Sequence, residues 1–169
     1  MDTAKTERRT ATQINYRKRY SLVVAAILAG LVAALLNGLL GKSLAAWFGP
    51  VALPSELRWQ SDLELLGLGL LSIVLSPLAE TALFAVIALV AELRVRSSAA
   101  AMIAGAIMVL AHVPQDARWA VQVFPLECLT ALGWALLGSE SVLRRFGTLA
   151  LIHLAHNLIA MVSLVVARL

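Results

Sequence analysis

After a polar opening stretch, the chain alternates between long apolar runs and short polar breaks. Residues 1–19 carry Lys5, Arg8, Arg9, Arg17, Lys18 and Arg19 without apolar periodicity, which predicts an irregular basic tail ending at lipid headgroups. Tyr20 to Gly41 then runs without a charge, and its length exceeds the core of a signal peptide, so it predicts a retained membrane helix. Residues 42–62 hold Lys42, Gly49, Pro50, Pro54, Glu56, Arg58 and Trp59, the composition of a loop, with Leu44 to Phe48 along the interface. Leu63 to Leu93 would reach about 45 Å as one helix, more than the roughly 30 Å of a bilayer core. It must tilt, kink or split, and Pro77 marks the break, because its ring presses on the carbonyl of Ile73 and supplies no backbone donor. Ser98 to His112, Leu126 to Gly138 and Phe146 to Ala167 complete the apolar runs, with residues 115–124 as a connector. The pattern predicts an all-α, polytopic integral membrane bundle of five to six spans. Its single membrane-embedded domain covers residues 20–169, and the chemistry-bearing core covers about 63–168.

Composition sharpens this picture. Hydrophobic residues fill 60% of the 169 positions and charged residues 14%, against roughly 45–50% and about 25% in soluble domains, an excess that needs lipid to cover it. The net charge of +4 would point to nucleic acid in a soluble protein. Here the basic residues sit in the tail and in short loops beside apolar spans, so membrane orientation explains them and a nucleic-acid partner is not expected. With the N-terminus inside, six tail residues plus Arg94, Arg96, Arg144 and Arg145 face Lys42, Arg58, Arg118 and Arg168, ten against four, as the positive-inside rule requires. The single cysteine, Cys128, has no partner for a disulfide or a thiolate metal site. No inverted repeat of the transporter kind is present.

The chemistry lies in polar residues placed where they are expensive. All three histidines, His112, His153 and His156, fall in or at the edge of apolar runs, and Glu80 sits mid-run, at a cost of roughly 2.5–3.5 kcal/mol on insertion scales. Glu80 is therefore expected to face the bundle interior. His153, His156 and Asn157 share one stripe of the last helix. Imidazole and amide groups can donate to an oxygen that gains negative charge during acyl transfer, and a desolvated carboxylate suits a general base on water. As plain structure, such residues make interhelical hydrogen bonds worth about 0.6 kcal/mol each, and for Glu127, after Pro125 at a span edge, that blander role with snorkelling to water is favoured. Glu92, Arg94 and Arg96 read as a solvated helix end, and Asn37 with Gly38 as packing of the first span.

The order of these residues over about 70–165 resembles the CPBP family, the CAAX-protease and bacteriocin-processing membrane proteins. The first family motif, commonly P-x-A-E-E-x-x-F-R, corresponds to Pro77-Leu78-Ala79-Glu80-Thr81-Ala82-Leu83-Phe84-Ala85, with Thr81 and Ala85 in place of the second acid and the arginine. The second, a Phe three residues ahead of a His, corresponds to Met108-Val109-Leu110-Ala111-His112, with the aromatic replaced. The third, His-x-x-x-Asn, is intact as His153-Leu154-Ala155-His156-Asn157, and His156 is an alternative for the motif histidine.

The resemblance implies an intramembrane endopeptidase in which Glu80 and His112 activate water while His153, or His156, and Asn157 stabilise the oxyanion. It implies no obligatory cofactor, with a divalent metal such as zinc the alternative. The expected partners are the lipid bilayer and a membrane-associated peptide or lipidated protein substrate. The expected location is a prokaryotic inner membrane. The missing acid and arginine leave a second expectation, a bacteriocin-immunity or scaffold protein of the same fold without proteolysis. A third, a proton or cation relay, is disfavoured by the lack of repeated halves.

Overall fold

The computed structural model describes residues 3–49, 67 and 69–166, with side chains from residue 20 onward except at 164 and 165. Five α-helices make up the described chain: α1 (Thr3–Phe48), α2 (Ser76–Glu92), α3 (Ser97–Ala111), α4 (Ala117–Leu136) and α5 (Val142–Val166), with a π-helical segment, Leu71–Leu75, leading into α2. The loop residues Pro50, Pro54, Glu56, Arg58 and Trp59, and the first residues of the second apolar run, lie outside the described residues.

Among the described residues, four helical stretches are long and apolar enough to cross a membrane: Tyr20–Phe48, Leu71–Glu92, Ala117–Leu136 and Val142–Ser163. The fifth apolar helix, Ser97–Ala111, is shorter at 15 residues, about 22 Å. The polarity of the bundle is inverted relative to a soluble protein. Large residues such as Leu35, Val86, Met102 and Leu143 stand exposed on the outside, while the contacts between helices are made by Ala26, Ala33, Ala88, Ala101 and Ala104. Small residues let helix backbones approach closely where lipid removes any hydrophobic drive between helices. This is the construction of a helical membrane protein.

Several boundaries depart from the sequence pattern. α1 continues without a break through residues 3–19 and 42–48, where an irregular tail and an interfacial loop were expected. α4 absorbs the expected connector, because Asp116 caps its first turn by accepting from the Arg118 backbone N–H at 2.8 Å, and Pro125 is carried inside the helix. The Arg118 side chain returns to Asp116 and reaches the Phe48 and Gly49 carbonyls, tying α4 to the end of α1. Hydrogen bonds from Arg118 hold the Asp116 carboxyl below its ordinary range. α5 starts at Val142, four residues earlier than its apolar run, which moves His153 toward the middle of its helix.

Pro77 does not split the second run. The chain enters π register ahead of it, the Ser76 N–H bonding the Leu71 carbonyl, so the turn widens and the helix continues through the proline. α1 packs on α5 and α4, α2 on α3 and α5, and α3 on α4. Along α1, Ala26, Gly30, Ala33 and Asn37 form the inward stripe, at helical spacing. A Cβ at Gly30 would stand 2.5 Å from the Ile152 carbonyl oxygen, so only glycine permits this approach of α1 to α5.

At one end of the bundle Glu92 is a junction and not a solvated terminus. Its Oε1 accepts from Ser97 Oγ, from Trp134 Nε1 at 2.9 Å and from Arg145 Nη1 at 2.7 Å. Arg145 also donates to the Gly138 carbonyl and lies over the Trp134 ring at 4.7 Å, and Trp134 meets Phe84 edge-on. Residues of four helices converge on one carboxylate. Removing one partner of a largely buried pair strands the other, so Arg145→Ala should cost about 3 kcal/mol. Glu140→Gln, which breaks the half-exposed Arg144–Glu140 pair, should cost under about 1 kcal/mol. Reversible unfolding of the two variants in mixed micelles checks the contrast.

Candidate functional site

In the middle of the bundle, three helices each contribute one ionisable side chain to a single cluster. Glu80 comes from α2, Glu127 from α4 and His153 from α5, and one ligand-capable atom from each lies within 4.8 Å of the others. His153 Nε2 stands 3.5 Å from Glu80 Oε2 and 3.9 Å from Glu127 Oε1. Local helix chemistry sets each group. Ser76, where the π segment ends, donates to Glu80 Oε1 at 2.6 Å, leaving Oε2 turned to the imidazole. Thr81 Oγ1 is 3.1 Å from His153 Nδ1 and so holds the ring plane, with Nε2 left facing the two carboxylates.

Glu127 corrects the expectation of snorkelling. It is 2% exposed, in the middle of α4, and neither carboxylate oxygen has a partner among the described residues; His153 Nε2 is likewise unpartnered. The signal was present in the sequence. Ala120, Glu127, Thr130 and Trp134 recur at helical spacing and all are buried, but starting the helix at Leu126 places Glu127 at an edge and hides that period.

The remaining expected residues divide into two groups. His156 and Asn157 belong to a separate chain of hydrogen bonds. Asn157 Nδ2 donates to the Ser72 carbonyl at 2.9 Å, which turns Asn157 Oδ1 toward His156 Nδ1 at 2.8 Å. Nδ1 of His156 therefore carries the proton, and its Nε2 accepts from Asn37 Nδ2 at 2.7 Å. Asn37 is thus a polar tie between α1 and α5 and not only packing. In π register, residue 77 would donate to the carbonyl of residue 72, and Pro77 has no N–H to give. Asn157 supplies that missing donor from another helix. His153, not His156, is the histidine that meets Glu80.

His112 caps the end of α3, its Nδ1 2.8 Å from the Met108 carbonyl, so Nδ1 carries the proton and Nε2 is a bare acceptor. Among the described residues no hydrogen bond or ion pair joins it to Glu80, Glu127 or His153. An apolar groove of about 650 Å³ between α3 and α4, bounded by Met102, Val109, Phe124 and Leu132, reaches Glu127 from the outer surface.

Fold and site together define a helical membrane protein with a carboxylate–imidazole cluster built across three helices. No protein-family model, curated protein or solved structure matches the chain.

If Asn157 serves Ser72, its loss and the loss of Pro77 are coupled. Asn157→Ala should destabilise the bundle by roughly 1 kcal/mol. In a Pro77→Ala background, where the backbone N–H returns, about half of that cost should disappear. A double-mutant cycle by unfolding in micelles measures the coupling.

Proposed function

We propose that the chain is an intramembrane endopeptidase of the CPBP kind, hydrolysing a peptide bond of a membrane-associated or lipidated substrate with water activated by Glu80. The observation that carries this reading is the pairing of Glu80 with an unpartnered His153 Nε2 across two helices, the two residues that the first and third motifs single out. Glu80 is one-third exposed and His153 buried, so the carboxylate stands on the accessible side of the cluster and the imidazole behind it. A carboxylate there takes a proton from water, and an imidazole whose Nε2 carries hydrogen donates to the oxyanion or to the departing amine. Thr81, in place of the family's second acid, orients His153, and Glu127 returns a second carboxylate from α4. His112, whose Nδ1 is held by the Met108 carbonyl, is the accessory base in this reading. The groove beside Glu127 suits an apolar segment of substrate. The orientation with the N-terminus inside a prokaryotic inner membrane, and a span count that includes the short α3, belong to the same proposal.

One observation favours the alternative, an immunity or scaffold protein of this fold. Asn157 and His156 are fully engaged in tying Ser72 and α1 to α5, which is a structural use of the third motif. The two readings separate on one comparison. Full-length protein in proteoliposomes is incubated with a panel of farnesylated and unmodified C-terminal peptides, and products are read by mass spectrometry. Glu80→Gln should lower cleavage at least about 100-fold with the fold intact. Cleavage that persists in Glu80→Gln removes Glu80 from the chemistry, and binding of a panel peptide without cleavage, unchanged by Glu80→Gln, supports the scaffold reading.

A further inference from the structure

We infer that Glu80, Glu127 and His153 form a binding site for one divalent cation of the zinc class, with Glu127, which lies outside all three motifs, as a ligand. The separations are the first reason. At 3.5 and 3.9 Å the carboxylate oxygens are too far from His153 Nε2 for good hydrogen bonds. They are close to the edge of a coordination tetrahedron, since bonds of roughly 2.0–2.1 Å to nitrogen and oxygen set neighbouring ligand atoms about 3.3 Å apart. The third edge, between the two carboxylates, lies within 4.8 Å, so the Glu80 and Glu127 side chains must draw together to close the geometry.

The second reason is the unmet demand of the buried groups. Glu127 and His153 are both more than nine-tenths buried, and both Glu127 oxygens and His153 Nε2 lack a hydrogen-bond partner among the described residues. Two carboxylates facing each other beside an imidazole, one of them sealed from water, need a proton or a metal cation between them. No Lys or Arg among the described residues is hydrogen-bonded or ion-paired to either; Arg145, the buried cation of the bundle, is committed to Glu92. The third reason is ring orientation. Thr81 holds Nδ1 so that Nε2 points into the cluster, the arrangement that fixes metal-ligating histidines elsewhere. One nitrogen and two carboxylates on rigid helices match zinc, whereas calcium and magnesium demand more oxygen ligands or retained water. Glu80, one-third exposed, leaves the fourth position on the accessible side. A cation held there would polarise a bound water or carbonyl.

The site does not rest on the peptidase reading: His153 Nε2 cannot carry hydrogen and ligate a cation at once, so a cation here would replace the metal-free water activation described above, and cation binding and hydrolysis are measured separately. Purified full-length protein in detergent is stripped with chelator, then titrated with Zn²⁺ by calorimetry and with Co²⁺ by visible absorption. The wild type should take one equivalent, Co²⁺ should give the intense bands of tetrahedral nitrogen and oxygen ligation without a thiolate transition from Cys128, and Zn²⁺ should displace it. Glu127→Gln and His153→Gln should each weaken binding roughly 100-fold or more, while Glu140→Gln, remote from the cluster, leaves it unchanged. Absence of a stoichiometric site in the wild type overturns the inference whatever the variants do. Binding by Glu127→Gln as tight as wild type, or Co²⁺ bands of octahedral aquo type, overturns it as well.

Discussion

Inside a bundle surrounded by hydrocarbon, a polar group has no water to fall back on, and most of this structure follows from how each such group is satisfied. The Glu92 carboxylate is met by Ser97, Trp134 and Arg145. The Ser72 carbonyl, left without a donor by Pro77, is met by Asn157. His156 passes the requirement on to Asn37 and so fastens α1 to α5. Among the described residues, single buried polar atoms of Asn37, Thr130 and Arg145 lack a hydrogen-bond partner, and three such atoms gather in the central cluster, at Glu127 and His153. The unmet polar demand of the bundle is therefore concentrated in this cluster, where the ionisable groups of three helices meet.

The same constraint explains how the framework positions the cluster. Alanine and glycine at the helix contacts bring the backbones close, so that short side chains such as Thr81 and Asn37 span from one helix to the next. The π segment before α2 widens one turn, lets Pro77 remain in a continuous helix and presents Ser72 to α5. The Glu92–Arg145 junction fixes α2, α4 and α5 at one end, and Arg118 fixes α4 to α1 at the other. Between these two clamps the three helices that carry Glu80, Glu127 and His153 are held in register.

Much of the architecture was legible in the pattern of the sequence. Five apolar runs correspond to five helices, and the cost of placing Glu80 and three histidines in apolar surroundings marked the region where the cluster forms. What the pattern missed shares one cause: hydropathy weighs a residue by its own chemistry and not by its partner across the bundle. Polar positions 115–124 read as a connector, although Asp116 caps a helix that runs through them. Glu127 and Glu92 read as edge residues that reach water, although one is sealed in the core and the other is held by three donors. Which of His153 and His156 meets Glu80 could not be read from spacing, because the two lie three residues apart on one stripe of the helix. The structure separates them through Thr81 and Asn37, which stand 72 and 119 positions away along the chain from their respective histidines.

The central claim is that Glu80, Glu127 and His153 converge in the bundle core, and thiol chemistry at these positions tests it most directly. In a Cys128→Ser background, the paired substitutions Glu80→Cys with His153→Cys, and Glu127→Cys with His153→Cys, are treated in native membranes with a short bifunctional thiol reagent. The account predicts crosslinking in both pairs, and it predicts that Glu127→Cys alone resists a membrane-impermeant thiol label. Rapid labelling of Glu127→Cys from the aqueous side, with no crosslink to position 153, would contradict the account and return Glu127 to the membrane surface.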